Sequence, residues 1–147
     1  MSDPLTTALN LLPHGLEFRF VDRLRELDPG QRGVGEYRVR GDEFFLRGHF
    51  PGQPLLPGVL LLEACAQLAG VVAQSDPQLA PLRGLKLTAV RGAKIFGSAQ
   101  PGEVVQLEAQ VLQRLGNLIQ VRATATVANR MVLQAELALS GEAPAPS

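Results

Sequence analysis

The chain has 147 residues, and its 14 basic and 14 acidic side chains give a formal net charge of zero. This balance excludes nucleic acid as the main partner, because neutralising phosphates requires an excess of Lys and Arg. Hydrophobic residues make up 46% of the chain and charged residues 19%. That composition is typical of a folded globular protein and not of a disordered one.

The single cysteine, Cys65, can form no internal disulfide, which is typical of a reducing compartment. The N-terminus, MSDPLTTALNLLPHG, has an early Asp and no basic cluster ahead of an apolar stretch, so we expect no signal peptide. The apolar run after Pro57 is shorter than the roughly 20 residues that span a bilayer, and it contains Glu63. We expect a cytoplasmic protein without a membrane segment.

The first half of the chain predicts short elements joined by turns. Two segments in which apolar and polar residues alternate are predicted to be half-buried strands. The second of these strands has Tyr37 and Val39 on one face. The segment 41–56 reads as irregular. The predicted elements are a helix at 4–12 and strands at 16–27 and 35–40.

The second half predicts one buried helix followed by strands. From Gly58 to Ala73 nearly every residue is apolar, so the helix should be buried on most sides. Compact turns at 115–117 and 129–130 favour an antiparallel meander of the last three strands. The predicted strands are 84–98, 103–114, 118–128 and 131–140.

These elements predict an α+β fold in which a long antiparallel sheet curls around one central helix. No internal repeat or linker divides the chain. We therefore expect a single domain at 1–140 and a disordered C-terminal tail at 141–147.

Residues 47–70 read RGHFPGQPLLPGVLLLEACAQLAG, with a histidine before the first Pro-Gly pair and a carboxylate inside the apolar helix. GHFPG, the second Pro-Gly and the E-A-x-A-Q of the helix resemble the β-hydroxyacyl-[acyl-carrier-protein] dehydratase family of hotdog-fold proteins. LLPHG, FVDRL and EFFLRGHF upstream are similar to that family's lead-in.

The resemblance implies a hotdog fold and dehydration of a β-hydroxyacyl thioester, carried on acyl carrier protein, to the trans-2-enoyl thioester. His49 would be the catalytic histidine and Glu63 the catalytic acid, contributed across a dimer interface. It implies a homodimer at least, with a trimer of dimers compatible with the family. No metal or other cofactor is expected.

This chemistry suits the two residues. Dehydration removes a proton from the α carbon and protonates the β hydroxyl, and a neutral imidazole, with an ordinary pKa of about 6.5, is the natural base. A carboxyl donates a proton only if it holds one, and apolar surroundings favour its protonated form.

The helix start provides a second feature. Free N–H groups there stabilise an oxyanion forming on the thioester. Gly58 is the expected donor, with Val59 beside it, and its missing side chain should let the substrate approach. Gln67 lies one turn from Glu63 and should orient it or cap the polar pocket.

His14 is interpreted as structural, because the sequence places no carboxyl near it. Cys65 lies two residues from Glu63 and faces elsewhere on the helix, so packing is its expected role.

A local excess of basic residues follows the helix, and Arg83, Lys86, Arg91 and Lys94 are the candidates for docking the acidic carrier protein. At 94–99 the chain departs from the family pattern, which leaves chain length and pathway open. The alternatives are a hotdog acyl thioesterase or a non-catalytic subunit that binds the thioester or its carrier.

Overall fold

The computed structural model describes residues 3–10, 12–15, 18–43, 46 and 55–143. His49 and the surrounding GHFPG segment lie outside the described residues. The elements are α1 (Pro4–Leu9), β1 (Arg23–Asp28), β2 (Arg32–Arg38), α2 (Gly58–Gln74), β3 (Arg83–Ile95), β4 (Val104–Leu115), β5 (Leu118–Val127) and β6 (Arg130–Glu142).

The six strands form one antiparallel sheet in the order β1-β2-β4-β5-β6-β3. The predicted meander is confirmed, since β4, β5 and β6 are consecutive neighbours. Ala128 and Asn129, with φ of 50° and 64°, form the two-residue turn between β5 and β6. Positive φ at both central residues is what the turns of twisted hairpins require.

The helix α2 packs against the sheet and forms the centre of the core. Every residue from Ala64 to Ala69 and from Val71 to Ala73 is buried. Facing it, β4 and β5 present small buried side chains, among them Ala109, Ala123 and Ala125, which let the helix lie close to the sheet. The predicted α+β hotdog fold is confirmed.

The first strand begins later than its alternation predicts. Residues 18–22 are not strand, and β1 starts at Arg23, which pairs with Glu36 of β2. The reason is the side chain of Gln67: it accepts from the Phe20 N–H at 2.8 Å and donates to the Phe18 carbonyl at 2.8 Å. These backbone groups are bonded to the helix and not to a neighbouring strand.

The last strand continues beyond its predicted end. β6 includes Gly141 and Glu142, which the sequence analysis assigned to the tail, and the Gly141 N–H donates to the Asn117 carbonyl at 3.1 Å. No helix within the described residues is long and apolar enough to cross a membrane.

Candidate active site

The polar centre of the site lies on one face of α2. Gln67, only 2% exposed, donates from Nε2 to Oε1 of Glu63 at 3.2 Å while its amide also bonds the backbone of Phe18 and Phe20. The three hydrogen bonds fix the orientation of the amide. Gln67 therefore presents a fixed donor to the carboxylate one turn away.

His14 lies on the other side of the same carboxylate. Its Nε2 is 3.4 Å from Oε1 of Glu63, and the two side chains are 31% and 27% exposed. The premise for treating His14 as purely structural was wrong: a carboxyl does lie beside it. Sequence separation hid the contact, although the LLPHG lead-in was among the motifs shared with the dehydratases.

The apolar sequence of the helix suggested that only apolar side chains surround Glu63. The structure differs from this expectation. Within the described residues it contacts an imidazole and an amide, and it lines a cleft. The carboxylate therefore lies between two nitrogen-bearing side chains.

The cleft has a volume of about 690 Å³. The α2 face forms one wall, with Glu63 and Gln67 near one end and Gln74 at the other. The opposite wall is formed by Pro81 and Leu82, by residues 84–87 of β3 and by Leu139 of β6. Residues 12–14 line the end near Glu63, and the surface between the polar ends is mainly apolar.

The helix start does not line this cleft. Val59 is 68% exposed, and neither it nor Gly58 is among the cleft residues. A Cβ at Gly58 would lie 2.6 Å from Cδ1 and 2.8 Å from Cγ2 of Ile95, so that side chain fills the space beside the glycine. The expectation that this space is left open for substrate is wrong, because packing against Ile95 requires the glycine.

The four candidate docking residues lie on β3 and are exposed, but they do not form one group. Lys86 lines the cleft of Glu63. Arg91 and Lys94 line a second, shallower depression of about 380 Å³ together with Arg122. Arg83 lies near Glu142, with its Nη2 3.9 Å from the carboxylate.

Acidic residues partly offset this positive charge. Glu136 lies opposite Arg91 in the β3–β6 register and comes within 3.8 Å of Arg122. The surface around Arg91 is thus less positive than the local excess of basic residues in the sequence indicated.

Cys65 is buried in α2, and burial raises the pKa of its thiol to about 12. A thiol held in its neutral form is a poor nucleophile, which agrees with the predicted packing role.

The segment that precedes GHFPG is anchored by Glu43. Its carboxylate accepts from the Tyr37 hydroxyl at 2.6 Å and from the Gly41 N–H at 2.5 Å. Burial alone would raise the pKa of Glu43, but these hydrogen bonds outweigh it and hold the pKa below its ordinary value. The chain therefore leaves β2 through a hydrogen-bonded turn.

The comparisons with known proteins show which family the chain belongs to. Residues 12–136 match the family model described as "FabA-like domain". The chain is 42% identical, over 86% of its length and 88% of the relative, to a 3-hydroxyacyl-[acyl-carrier-protein] dehydratase FabZ of Chloroflexus aggregans. A FabZ dehydratase of Myxococcus xanthus is 40% identical over 87% of this chain and 84% of its own.

Solved structures share the fold at much lower identity. The dehydratase heterocomplex ApeI:P from Xenorhabdus doucetiae superposes with a TM-score of 0.76 at 15% identity, covering 93% of this chain and 90% of that one. A hypothetical thioesterase with coenzyme A from Streptococcus pneumoniae gives 0.61 at 13% identity, covering 82% and 87%. At such identities the likeness concerns the fold alone.

Proposed function

Because the chain belongs to the FabA-like family and its curated relatives are 3-hydroxyacyl-[acyl-carrier-protein] dehydratases, we propose that it dehydrates 3-hydroxyacyl thioesters carried on acyl carrier protein. The observation that carries the proposal is the Glu63 carboxylate, held by His14 and Gln67 at one end of an apolar cleft. A thioester with an acyl tail needs the carboxylate for proton transfer and the apolar cleft for its tail. The product is the trans-2-enoyl thioester together with one water.

The proposed reaction is a general acid–base elimination. His49 takes the proton from the α carbon, the C–O bond at the β carbon breaks, and the pair Glu63–His14 delivers a proton to the leaving hydroxyl. The electrons of the broken C–H bond form the new double bond. The motif GHFPG supports the assignment of His49, whose surroundings lie outside the described residues.

Charge that develops on the thioester oxygen requires a donor. The N–H groups of Gly58 and Val59 precede the first hydrogen bond of α2, which runs from Leu60 to the Pro57 carbonyl at 3.0 Å, and they lie at the positive end of the helix dipole. Gly58 is our proposed donor. Ile95 fills the space that a side chain at position 58 would take. The substrate would therefore contact the backbone N–H of Gly58 and not that space.

We propose that the complete site forms between two copies of the chain. Gly58 does not line the cleft of Glu63. This is expected if a complete site takes Gly58 from one chain and Glu63 from the other. β3 is an edge strand of 13 residues, and Val90 and Ile95 on it are exposed. Such an edge favours pairing with another chain. A trimer of dimers is a further assembly that the family resemblance suggests.

The carrier protein is proposed to dock on the exposed basic residues of β3. Arg91 and Lys94 form the stronger group because they lie together with Arg122. Lys86 lines the cleft of Glu63, and Arg83 lies closer to an acidic partner.

One assay tests the function directly. Purified protein is given a 3-hydroxyacyl thioester, the matching 2-enoyl thioester and the matching saturated thioester, each on acyl carrier protein. We expect interconversion of the first two and no release of free thiol from the third. Thiol release without interconversion would identify a thioesterase, and binding without either reaction would identify a non-catalytic subunit.

A further inference from the structure

One end of the cleft of Glu63 is lined by two residues that are hydrogen-bonded to each other. Gln74, the last residue of α2, donates from Nε2 to the Leu82 carbonyl at 2.7 Å and accepts from the Leu82 N–H at 3.1 Å. Both backbone groups of Leu82 are thereby bonded to one side-chain amide. This pairing ties the end of the helix to the segment that enters β3.

The same end is packed tightly by β6. A Cβ at Gly141 would lie 2.9 Å from Cβ of Leu82 and 3.0 Å from the Arg83 carbonyl oxygen. The missing side chain lets β6 approach the segment that Gln74 holds. At this end of the cleft, the end of the helix and the segment before β3 are therefore bonded and packed together.

We infer that the Gln74–Leu82 pair limits the length of the acyl chain that this enzyme accepts. The inference rests on the proposed function, because the occupant of the cleft is the acyl tail of the thioester. Continuity supports this occupant: the apolar surface begins at the catalytic carboxyl and runs along α2 past Gly70 to the pair.

The length of the helix gives the limit. Gln74 lies eleven positions after Glu63, which corresponds to about 16 Å along the helix axis. An extended chain advances about 3.5 Å for every three bonds. The cleft therefore takes on the order of a dozen carbon–carbon bonds beyond the β carbon.

Gly70 keeps the middle of the cleft open. A Cβ at this position meets only Cδ2 of Leu85, at 3.9 Å, so the helix tolerates a side chain there. A leucine at 70 would instead occupy space that a long acyl chain needs. Gly70→Leu should therefore shorten the accepted chain, whereas loss of the Gln74 amide should lengthen it.

The experiment measures kcat/KM for saturated 3-hydroxyacyl thioesters of increasing length. We expect wild-type activity to fall for acyl chains beyond about sixteen carbons, because one methylene too many costs roughly tenfold or more. In Gly70→Leu the ratio of long-chain to short-chain kcat/KM should fall about tenfold. In Gln74→Ala we compare kcat/KM for a substrate longer than the wild-type limit with kcat/KM for the substrate that the wild type prefers. This ratio should rise by about the same factor.

Gly70→Ala is the matched control, and its ratio should stay within about threefold of wild type, because its Cβ makes only an ordinary contact. Equal losses at every length in Gly70→Leu would overturn the inference. So would a Gln74→Ala enzyme that is folded by circular dichroism and keeps the wild-type length limit. Absence of turnover at any length in the wild type would instead reject the proposed function.

Discussion

At the scale of single residues, the site depends on one carboxylate and the groups that hold it. Glu63 accepts a hydrogen bond from the Gln67 amide at 3.2 Å, and its Oε1 lies 3.4 Å from Nε2 of His14. The Gln67 amide is itself fixed by two backbone groups, so the carboxylate keeps its orientation without a substrate. Such preorganisation lowers the cost of reaching the reactive geometry.

Replacing either member of the proposed acid–base pair should nearly abolish dehydration. Glu63→Gln and His49→Ala should each lower kcat by about 10²–10⁴-fold, the usual worth of a general acid or base. The change is measured by enoyl absorbance under saturating substrate. Near-wild-type kcat in either variant, with unchanged circular dichroism, would reject that residue's role.

His14 should act through Glu63 as a positioning residue. His14→Phe retains the ring and removes the contact, and we expect kcat to fall roughly 10- to 100-fold, the worth of a hydrogen bond to a charged group, with little change in KM. A double-mutant cycle checks this route. In the Glu63→Gln background the same change should cost almost nothing, whereas a role independent of Glu63 would give additive losses.

At the scale of elements, the start of α2 packs against β3 through Gly58 and Ile95. Gly58→Ala should lower the free energy of unfolding by about 1 kcal/mol, because the new methyl would collide with Ile95. Adding Ile95→Ala should reduce this loss. Urea denaturation of the two single variants and the double variant measures the coupling.

Gly70→Ala provides the matched control for Gly58→Ala on the same helix. It has space for a methyl group and should be neutral or gain about 0.5–1 kcal/mol from helix propensity. If Gly58→Ala behaved in the same way, the packing account of Gly58 would be wrong.

At the scale of the whole molecule, the proposed site combines two chains. Mixed dimers of His49→Ala and Glu63→Gln chains test this arrangement, because one of their two sites would keep both residues. We expect co-expressed, doubly tagged heterodimers to recover about half of the wild-type kcat per dimer, following the count of intact sites. Heterodimers as inactive as each parent would place both residues in one chain.

Carrier docking is the second prediction at this scale. Arg91→Glu with Lys94→Glu should raise KM for the carrier-bound substrate and leave a small free thioester nearly unaffected. The effect should weaken as salt is added, since the Debye length is about 8 Å at physiological ionic strength.

Arg25→Glu is the control for the carrier prediction, because Arg25 is an exposed cation on β1 at the opposite edge of the sheet. An equal rise in KM in this variant, or a rise for the free thioester in the β3 variant, would reject docking at Arg91 and Lys94.

The sequence by itself determined the helix, the meander and the family, because these depend on local periodicity and on motifs within a few residues. The apolar run from Gly58 predicts a buried helix whatever surrounds it, and compact turns place β4, β5 and β6 side by side. The spacing of Glu63 and Gln67 placed both on one helical face, where the structure finds them bonded.

Only the tertiary structure decided which distant groups meet. Two contacts join segments that no local sequence pattern shows to be close in space. They are the contact of His14 with Glu63 and the Gln74–Leu82 pair. The same holds for the Gln67 amide, which bonds the backbone of Phe18 and Phe20. Because of these bonds, β1 begins later in the chain than predicted. Side-chain hydrogen bonds of this kind depend on how the helix lies against the sheet, and that placement results from packing of the whole core.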